Sequence, residues 1–262
     1  MPVIKSLSLI GSFTIRPVSE LGRFSIFMGE TIKSSFFPPV SPKLLFKHLE
    51  FVGNRSLGIL VIAAVMIGAV FGLILGDIFR TFGAESMVGA AAGVALTKEL
   101  APVFSGFLVT ARGGSAMAAE IATMRVNEQI DAMRVMAVSP HSYLVAPRVL
   151  ASVMMLPLLS CVFVLTGVAS AIFTGIIFFD IDIGTCIEKM RGMVRFNFVF
   201  QGMFKAAVFG LIISAVGCYK GFFAGGGAKG VGRATTEAVV LSLVAILISD
   251  FFISYLQSDL VG

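Results

Sequence analysis

Four charged side chains sit where charge is expensive. Lys98 and Glu99 interrupt the apolar run 86–111 at its midpoint, Lys205 lies inside 196–219, and Asp250 lies deep in 234–256. An ionised group at the centre of a bilayer costs at least roughly 2.5–3.5 kcal/mol on insertion scales, so it faces a cavity or a partner. Neighbours on a helix diverge by about 100°, so Lys98 and Glu99 do not face each other and each needs its own partner or water. Glu99 is too short to reach the headgroups from mid-span, which predicts that it lines a cavity. Lys205 is long enough to snorkel to the outer headgroups, with Asp250 pairing with it or capping a neighbour. A carboxylate in such a place suits two chemistries: contact with a polar ligand in an apolar chamber, or reversible protonation in a secondary transporter.

Enzymatic chemistry finds little support. Gly225-Gly226-Gly227-Ala228-Lys229-Gly230 fits GxGxxG but follows an apolar span rather than a strand, so it does not read as a dinucleotide loop. GxxxxGK[ST], HExxH and GxSxG are missing, and His48 and His141 lie far apart. Cys161, Cys186 and Cys218 form neither a disulfide framework nor a zinc motif; they read as small apolar fillers, with Cys186 in a polar loop. The reading is of a chain that is not an enzyme and holds no metal or cofactor.

The elements that carry these charges must be membrane spans. The 262 residues are 57% hydrophobic and 13% charged, with mean hydropathy +0.97. Soluble domains average roughly 45–50% apolar and roughly 25% charged. Five runs are long enough to cross a bilayer, about 57–79, 86–111, 149–179, 196–219 and 234–256. Pro157 in the third is tolerable as a kink. Seven Lys and Arg precede residue 57, four lie in 112–148 and three in 220–233, against Arg80, Lys189, Arg191 and Arg195 on the other side. The positive-inside rule then puts the N-terminus in the cytoplasm and the C-terminus outside. The net charge of +5 is thus a topology signal, with no nucleic acid implied.

Before the first span, residues 15–37 carry Val18, Leu21, Phe24, Met28, Ile32 and Phe36 at three- and four-residue spacing among charges. This predicts an amphipathic helix in the cytoplasmic interface, stopped by Pro38-Pro39 and Pro42, with a short segment 43–52 leading on. No signal peptide is evident in the first 56 residues. Residues 1–56 thus read as a cytoplasmic N-terminal segment and 57–262 as the five-span domain. Gly68, Gly72 and Gly76, and Gly89 and Gly93, form small faces for close helix packing, within one chain or between two. In the loop 112–148, Asn127 is expected to cap a short helix starting Glu128-Gln129-Ile130-Asp131, with Ile130, Met133 and Met136 on one side. Its apolar side and acids suit docking on a soluble partner.

The stretch LTKELAPVFSGFLVTARGGSAMAAEIATMRVNEQIDAMRVMAVSPHSYLVAPRVLA, residues 96–151, resembles the MlaE/YrbE permease family of lipid-transporting ABC systems. GVGRATTEAVV, residues 230–240, is similar to that family's second signature. The likeness runs from about residue 15 to the C-terminus and covers the interfacial helix and the five spans. It implies an all-α polytopic permease of the bacterial inner membrane that works as a homodimer with two cytoplasmic ATPase subunits, which hold the ATP and Mg. A periplasmic ring of MCE-domain protein and a phospholipid substrate are implied as well. The family's coupling helix falls on Glu128, Gln129, Ile130, Asp131, Ala132 and Met133. Its intramembrane Arg-Glu pair falls on Lys98 and Glu99, and Phe71, Ile78 and Phe82 would line the lipid tails. Lys98 stands where Arg is usual, which replaces a bidentate grip on phosphate with a point charge. Ala101 replaces a Gly and Ser139 an Asp. A proton-coupled transporter using Glu99 or Asp250, and a membrane anchor for a lipid-carrier complex, are the two rival classes.

Overall fold

Long apolar runs fold as helices in lipid because every backbone N–H and C=O must find a partner inside the segment. The computed structural model describes residues 19–34 and 41–259, and among them the regular elements are helical. They are α1 (19–34), α2 (Pro42–Val52), α3 (Asn54–Arg80), α4 (Val88–Ala95), α5 (Ala101–Val109), α6 (Ser115–Val126), α7 (Gln129–Val135), α8 (Ala146–Phe179), α9 (Ile183–Met193), α10 (Phe196–Phe222) and α11 (Gly227–Asp259). Among the described residues five helical stretches are long and apolar enough to cross a membrane, as the hydropathy predicts. The chain is an all-α polytopic membrane protein.

The second span is one rod made of α4, α5 and α6, joined by π-helical turns at Leu96–Leu100 and Thr110–Gly114. A third π turn, His141–Val145, leads into α8. Two of the three precede a proline, Pro102 and Pro147. Proline lacks an N–H and its ring collides with the carbonyl four residues back, which here belongs to Lys98 and Tyr143, inside those turns. Widening the helix by one residue relieves that clash.

This rod overturns one expectation. The segment 112–126 is helix, so the connection between spans two and three is confined to about 127–140. The segment 227–233 is likewise the start of α11 rather than loop. Residues 183–193, expected as loop, form α9, whose Asp182 caps it by accepting from the Thr185 N–H at 2.8 Å. Cys186 is therefore buried against α4 and not in a polar loop.

The rod is the centre of the bundle. α3 packs chiefly on α8, α8 on α10 and α10 on α11, and each of the four also touches the rod. This arc leaves one side of the rod uncovered by the chain, between α3 and α11, where Leu100, Val103 and Phe107 are only half-buried. The glycine faces serve contacts within the chain. A Cβ on Gly68 would lie 2.1 Å from the Gly167 carbonyl oxygen, and one on Gly72 2.6 Å from that of Ala171. Gly76 lies against the Phe179 ring, and Gly89 and Gly93 against Cys186 and Val194. Close backbone approach replaces the hydrophobic effect as the packing device in lipid. Gly68→Leu is therefore expected to separate α3 from α8 and destabilise the protein by more than the usual 1–3 kcal/mol of overpacking, seen as a lower melting temperature in detergent. A melting point equal to wild type would show that α3 does not depend on this contact.

α1 docks through Phe24, Phe27 and Met28. The Phe27 ring stands 5.5 Å from Tyr219, 5.5 Å from Phe222 and 5.0 Å from His141. The inward face thus includes Phe27, which the predicted stripe omits, while Leu21 is exposed and Ile32, also largely exposed, borders a cavity with Val149 of α8 and Leu211 of α10. Val18, Phe36 and the Pro38-Pro39 stop lie outside the described residues.

Candidate functional site

Three spans bring mid-span charges to one depth. Counted along the helices at about 1.5 Å per residue, Glu99, Lys205 and Asp250 all lie roughly 13–17 Å from the α9 end. Lys205 is completely buried. Its ammonium, which has three N–H donors, meets Glu99 Oε2 at 2.5 Å, Ser254 Oγ at 2.6 Å and Asp250 Oδ1 at 3.2 Å. It does not reach for the headgroups, so the snorkelling expectation is corrected: three nearby acceptors solvate the charge where it stands. Charge-assisted hydrogen bonds of this kind are about twice as strong as neutral ones.

Glu99 differs from its partner in exposure. Its side chain keeps 43% of its surface open, against 0% for Lys205 and 22% for Asp250. The carboxylate is anchored from behind and bare in front, on the side of the rod that the arc leaves uncovered. One cation faces two carboxylates, a formal excess of one negative charge. Such a group can accept hydrogen bonds from a polar ligand without being drawn out of position.

Lys98 takes another direction. Its Nζ lies 4.9 Å from the centroid of the Phe198 ring, a cation–π contact, and it does not join the cluster. Phe71, Ile78 and Phe82 lie on α3 and the turn after it, at the other edge of the arc from α11. Phe71 is half-buried and Ile78 and Phe82 are exposed. The structure thus gathers Glu99, Lys205 and Asp250 into one cluster and leaves Lys98 and the three apolar residues outside it.

Ser254, Gln201 and Gln257 belong to the same polar track and escape a reading that looks only for charges. Ser254 Oγ donates to the Asp250 carbonyl at 2.8 Å and lies 3.2 Å from Glu99 Oε2. Gln257 donates to the Gln201 carbonyl at 3.4 Å, while Gln201 Oε1 is buried without a partner. The signal was present in the spacing: Asp250, Ser254 and Gln257 recur at i, i+4 and i+7, and Gln201 and Lys205 at i, i+4.

The other candidate element is α7, at the opposite end of the bundle. Glu128, not Asn127, takes the N-cap position, with a left-handed φ of 58° and no side-chain capping bond. Asp131 accepts from Arg125 Nη1 at 2.7 Å with each oxygen and from Arg134 at 3.4 Å, which ties α7 to the end of α6. Ile130 is wholly buried among Ile121, Leu144 and Val145, and Met133 packs against the same cluster. Ile130 therefore holds the helix to its own chain and is corrected as a partner-facing group, while Met133 is half-buried and keeps part of its surface open. The face turned outward carries Glu128, Gln129, Val135 and Met136, with Val138 just beyond.

The family model described as Permease MlaE matches residues 45–256, a range that includes the whole charge cluster and α7. A probable ABC transporter permease protein of Rickettsia prowazekii is 39% identical over 254 residues, covering 97% of this chain and 98% of its own. One from Synechocystis is 40% identical over 211 residues, 80% of each chain. The chloroplastic Arabidopsis thaliana protein named trigalactosyldiacylglycerol 1 is 38% identical over 208 residues, 79% of this chain and 59% of that one. A five-span helical bundle without enzymatic motifs, matched in this way along nearly its full length, belongs to the MlaE permease family and is a permease subunit of an ABC transporter.

Proposed function

We propose that two copies of this chain enclose an apolar chamber in the bacterial inner membrane and pass a phospholipid between that membrane and a periplasmic MCE-protein path. The uncovered side of the second span, flanked by α3 and α11, forms half of the chamber. The observation that carries the reading is Glu99: fixed from behind by buried Lys205, yet 43% exposed at mid-span. A mid-membrane carboxylate held this way serves a polar group that enters an apolar space. Exposed Ile78 and Phe82 and half-buried Phe71 offer surface to acyl tails, and Lys98 sits one residue from Glu99 as a cation near the headgroup. The Arabidopsis relative is named for a diacylglycerol lipid, which supports a lipid substrate here.

Work is needed because burying acyl chains is worth about 0.8 kcal/mol per CH₂, so a chamber that fits lipid does not empty unaided. A partner ATPase supplies that work from ATP, pressing on the outward face of α7. The N-terminus lies on the ATPase side and the C-terminus on the periplasmic side, with α1 in the cytoplasmic interface.

Glu99→Ala is expected to lower lipid transfer by about tenfold or more in vesicles reconstituted with the partner subunits, the size of effect that losing one charged hydrogen bond of 1.5–3 kcal/mol produces. The protein should still assemble, since Asp250 and Ser254 continue to hold Lys205. Transfer at the wild-type rate would remove Glu99 from the lipid path.

A further inference from the structure

On the side of the bundle away from Glu99, α8 and α10 form a wedge. Near the α7 end they touch backbone to backbone, where a Cβ on Gly210 would lie 2.5 Å from the Ser152 carbonyl oxygen. Toward the α9 end they part, and the gap between Leu165 of α8 and Val199 of α10 opens into two adjoining cavities of about 270 and 490 Å³. Both are bounded by Thr97, Val164, Leu165 and Val199, so they form one slot. Thr97 and Glu99 are two residues apart on a helix and project to nearly opposite sides, which separates the slot from the charge cluster.

The slot is lined mainly by apolar groups, with Thr97 and Ser160 in its wall and one charged side chain at its mouth. Arg191 of α9 borders the larger cavity, and Arg195 follows four residues later. Among the described residues neither has an acidic group within ion-pair distance, although Asp180, Asp182 and Glu188 share that end of the bundle. The wall residue Val199 lies in the first turn of α10, within about 5 Å of its start. The slot therefore opens at the depth where acyl chains begin beneath the headgroups. Its volumes lie at the low end of the few hundred to 1,000 Å³ typical of ligand pockets, and they suit an extended chain rather than a helix about 10–12 Å across.

We propose that this slot binds one acyl chain of a resident anionic bilayer phospholipid whose phosphate is held by Arg191, with Arg195 at the start of α10 adding positive charge at the same end; a zwitterionic lipid, which brings its own cation to its phosphate, competes weakly. The guanidinium is the side chain that matches phosphate with two parallel hydrogen bonds. The site is separate from the transport path, and the proposal does not depend on what is transported.

The chain contains no tryptophan, so a single introduced one reports alone. Leu165→Trp places it on the rim of the slot at a position 72% exposed, and Phe173→Trp places a control on the same helix at 64% exposed. Each full-length variant is reconstituted in phosphatidylcholine vesicles with a minor fraction of brominated-chain phosphatidylglycerol, which quenches tryptophan on contact. The expected result is quenching at Leu165→Trp equivalent to about tenfold local enrichment over the control, the scale of one charge-assisted contact. Adding Arg191→Gln and Arg195→Gln should return it to the control level. Quenching equal to the control overturns the proposal. So does an excess that survives the arginine changes, and so does a tryptophan shielded from all lipid, which would mean that protein covers the slot. A lipid in the chamber beside Glu99 cannot produce the signal, because Leu165 lies on the other side of the rod.

Discussion

Lys205→Met is expected to be the most damaging single substitution in the membrane core. It leaves Glu99, Asp250 and Ser254 facing one another with no cation, inside a bundle that offers little water. Breaking a buried ion pair by removing one partner costs about 3–5 kcal/mol. The lower end applies here, because Glu99 keeps 43% of its side chain exposed and can be partly rehydrated. The measurement is the melting temperature and yield of the purified protein, together with lipid transfer by what remains folded. The sharper comparison is the triple variant Lys205→Met, Glu99→Gln, Asp250→Asn. Replacing every charge removes the uncompensated carboxylates, so stability should recover to near wild type while lipid transfer stays low. A single variant as stable as wild type would show that the cluster contributes nothing to the fold. A triple variant that transports normally would show that its charge contributes nothing to function.

Val135→Asp combined with Met136→Asp is expected to abolish co-purification of the ATPase without unfolding the permease. Both side chains are exposed, 88% and 66%, at the end of α7 and the position after it, so the substitutions disturb little internal packing. Two carboxylates in an apolar contact would each have to be desolvated on docking, at several kcal/mol per ion. That is enough to reduce binding by more than a thousandfold. The check is pull-down of the ATPase by tagged permease, with a melting curve to show that the variant is folded. Full retention of the ATPase would move the docking surface away from this face. Ile130→Asp is the wrong experiment: Ile130 is wholly buried among Ile121, Leu144 and Val145, so its loss would unfold the end of the bundle and mimic a docking defect.

The contrast between Ile130 and Val135 shows where reading the chain stops. Spacing of three and four identifies which residues share a side of a short helix, but not which side the rest of the protein occupies. Ile130 and Met133 lie on the inward side, and the segment from 112, read as loop, is helix to Val126, which carries α7 about 22 Å further from the second span's midpoint. The π turns had a similar effect. Pro102 and Pro147 look like points where a helix weakens, yet each is absorbed by a widened turn just before it, so the rod and the helix leading into α8 both run on.

What composition and order determined is the class of molecule. Apolar runs of bilayer length, the lopsided distribution of Lys and Arg, and mid-span charges follow from local chemistry alone, because lipid demands helices and penalises charge wherever it occurs. The motifs of residues 96–151 and 230–240 were equally legible, since they are contiguous. Which charges meet was not. Glu99 and Lys205 are more than a hundred residues apart and Asp250 lies on a third helix, and only the crossing of the rod, α10 and α11 brings them within hydrogen-bond distance. The glycine rows were visible as rows, but that Gly68 meets Gly167 in the same chain is a property of how α3 lies on α8. The wedge between α8 and α10 has no signature in the sequence: it exists because two helices touch at Gly210 and part above it. Local rules fix the elements, whereas distances between elements depend on packing angles that each residue influences only slightly.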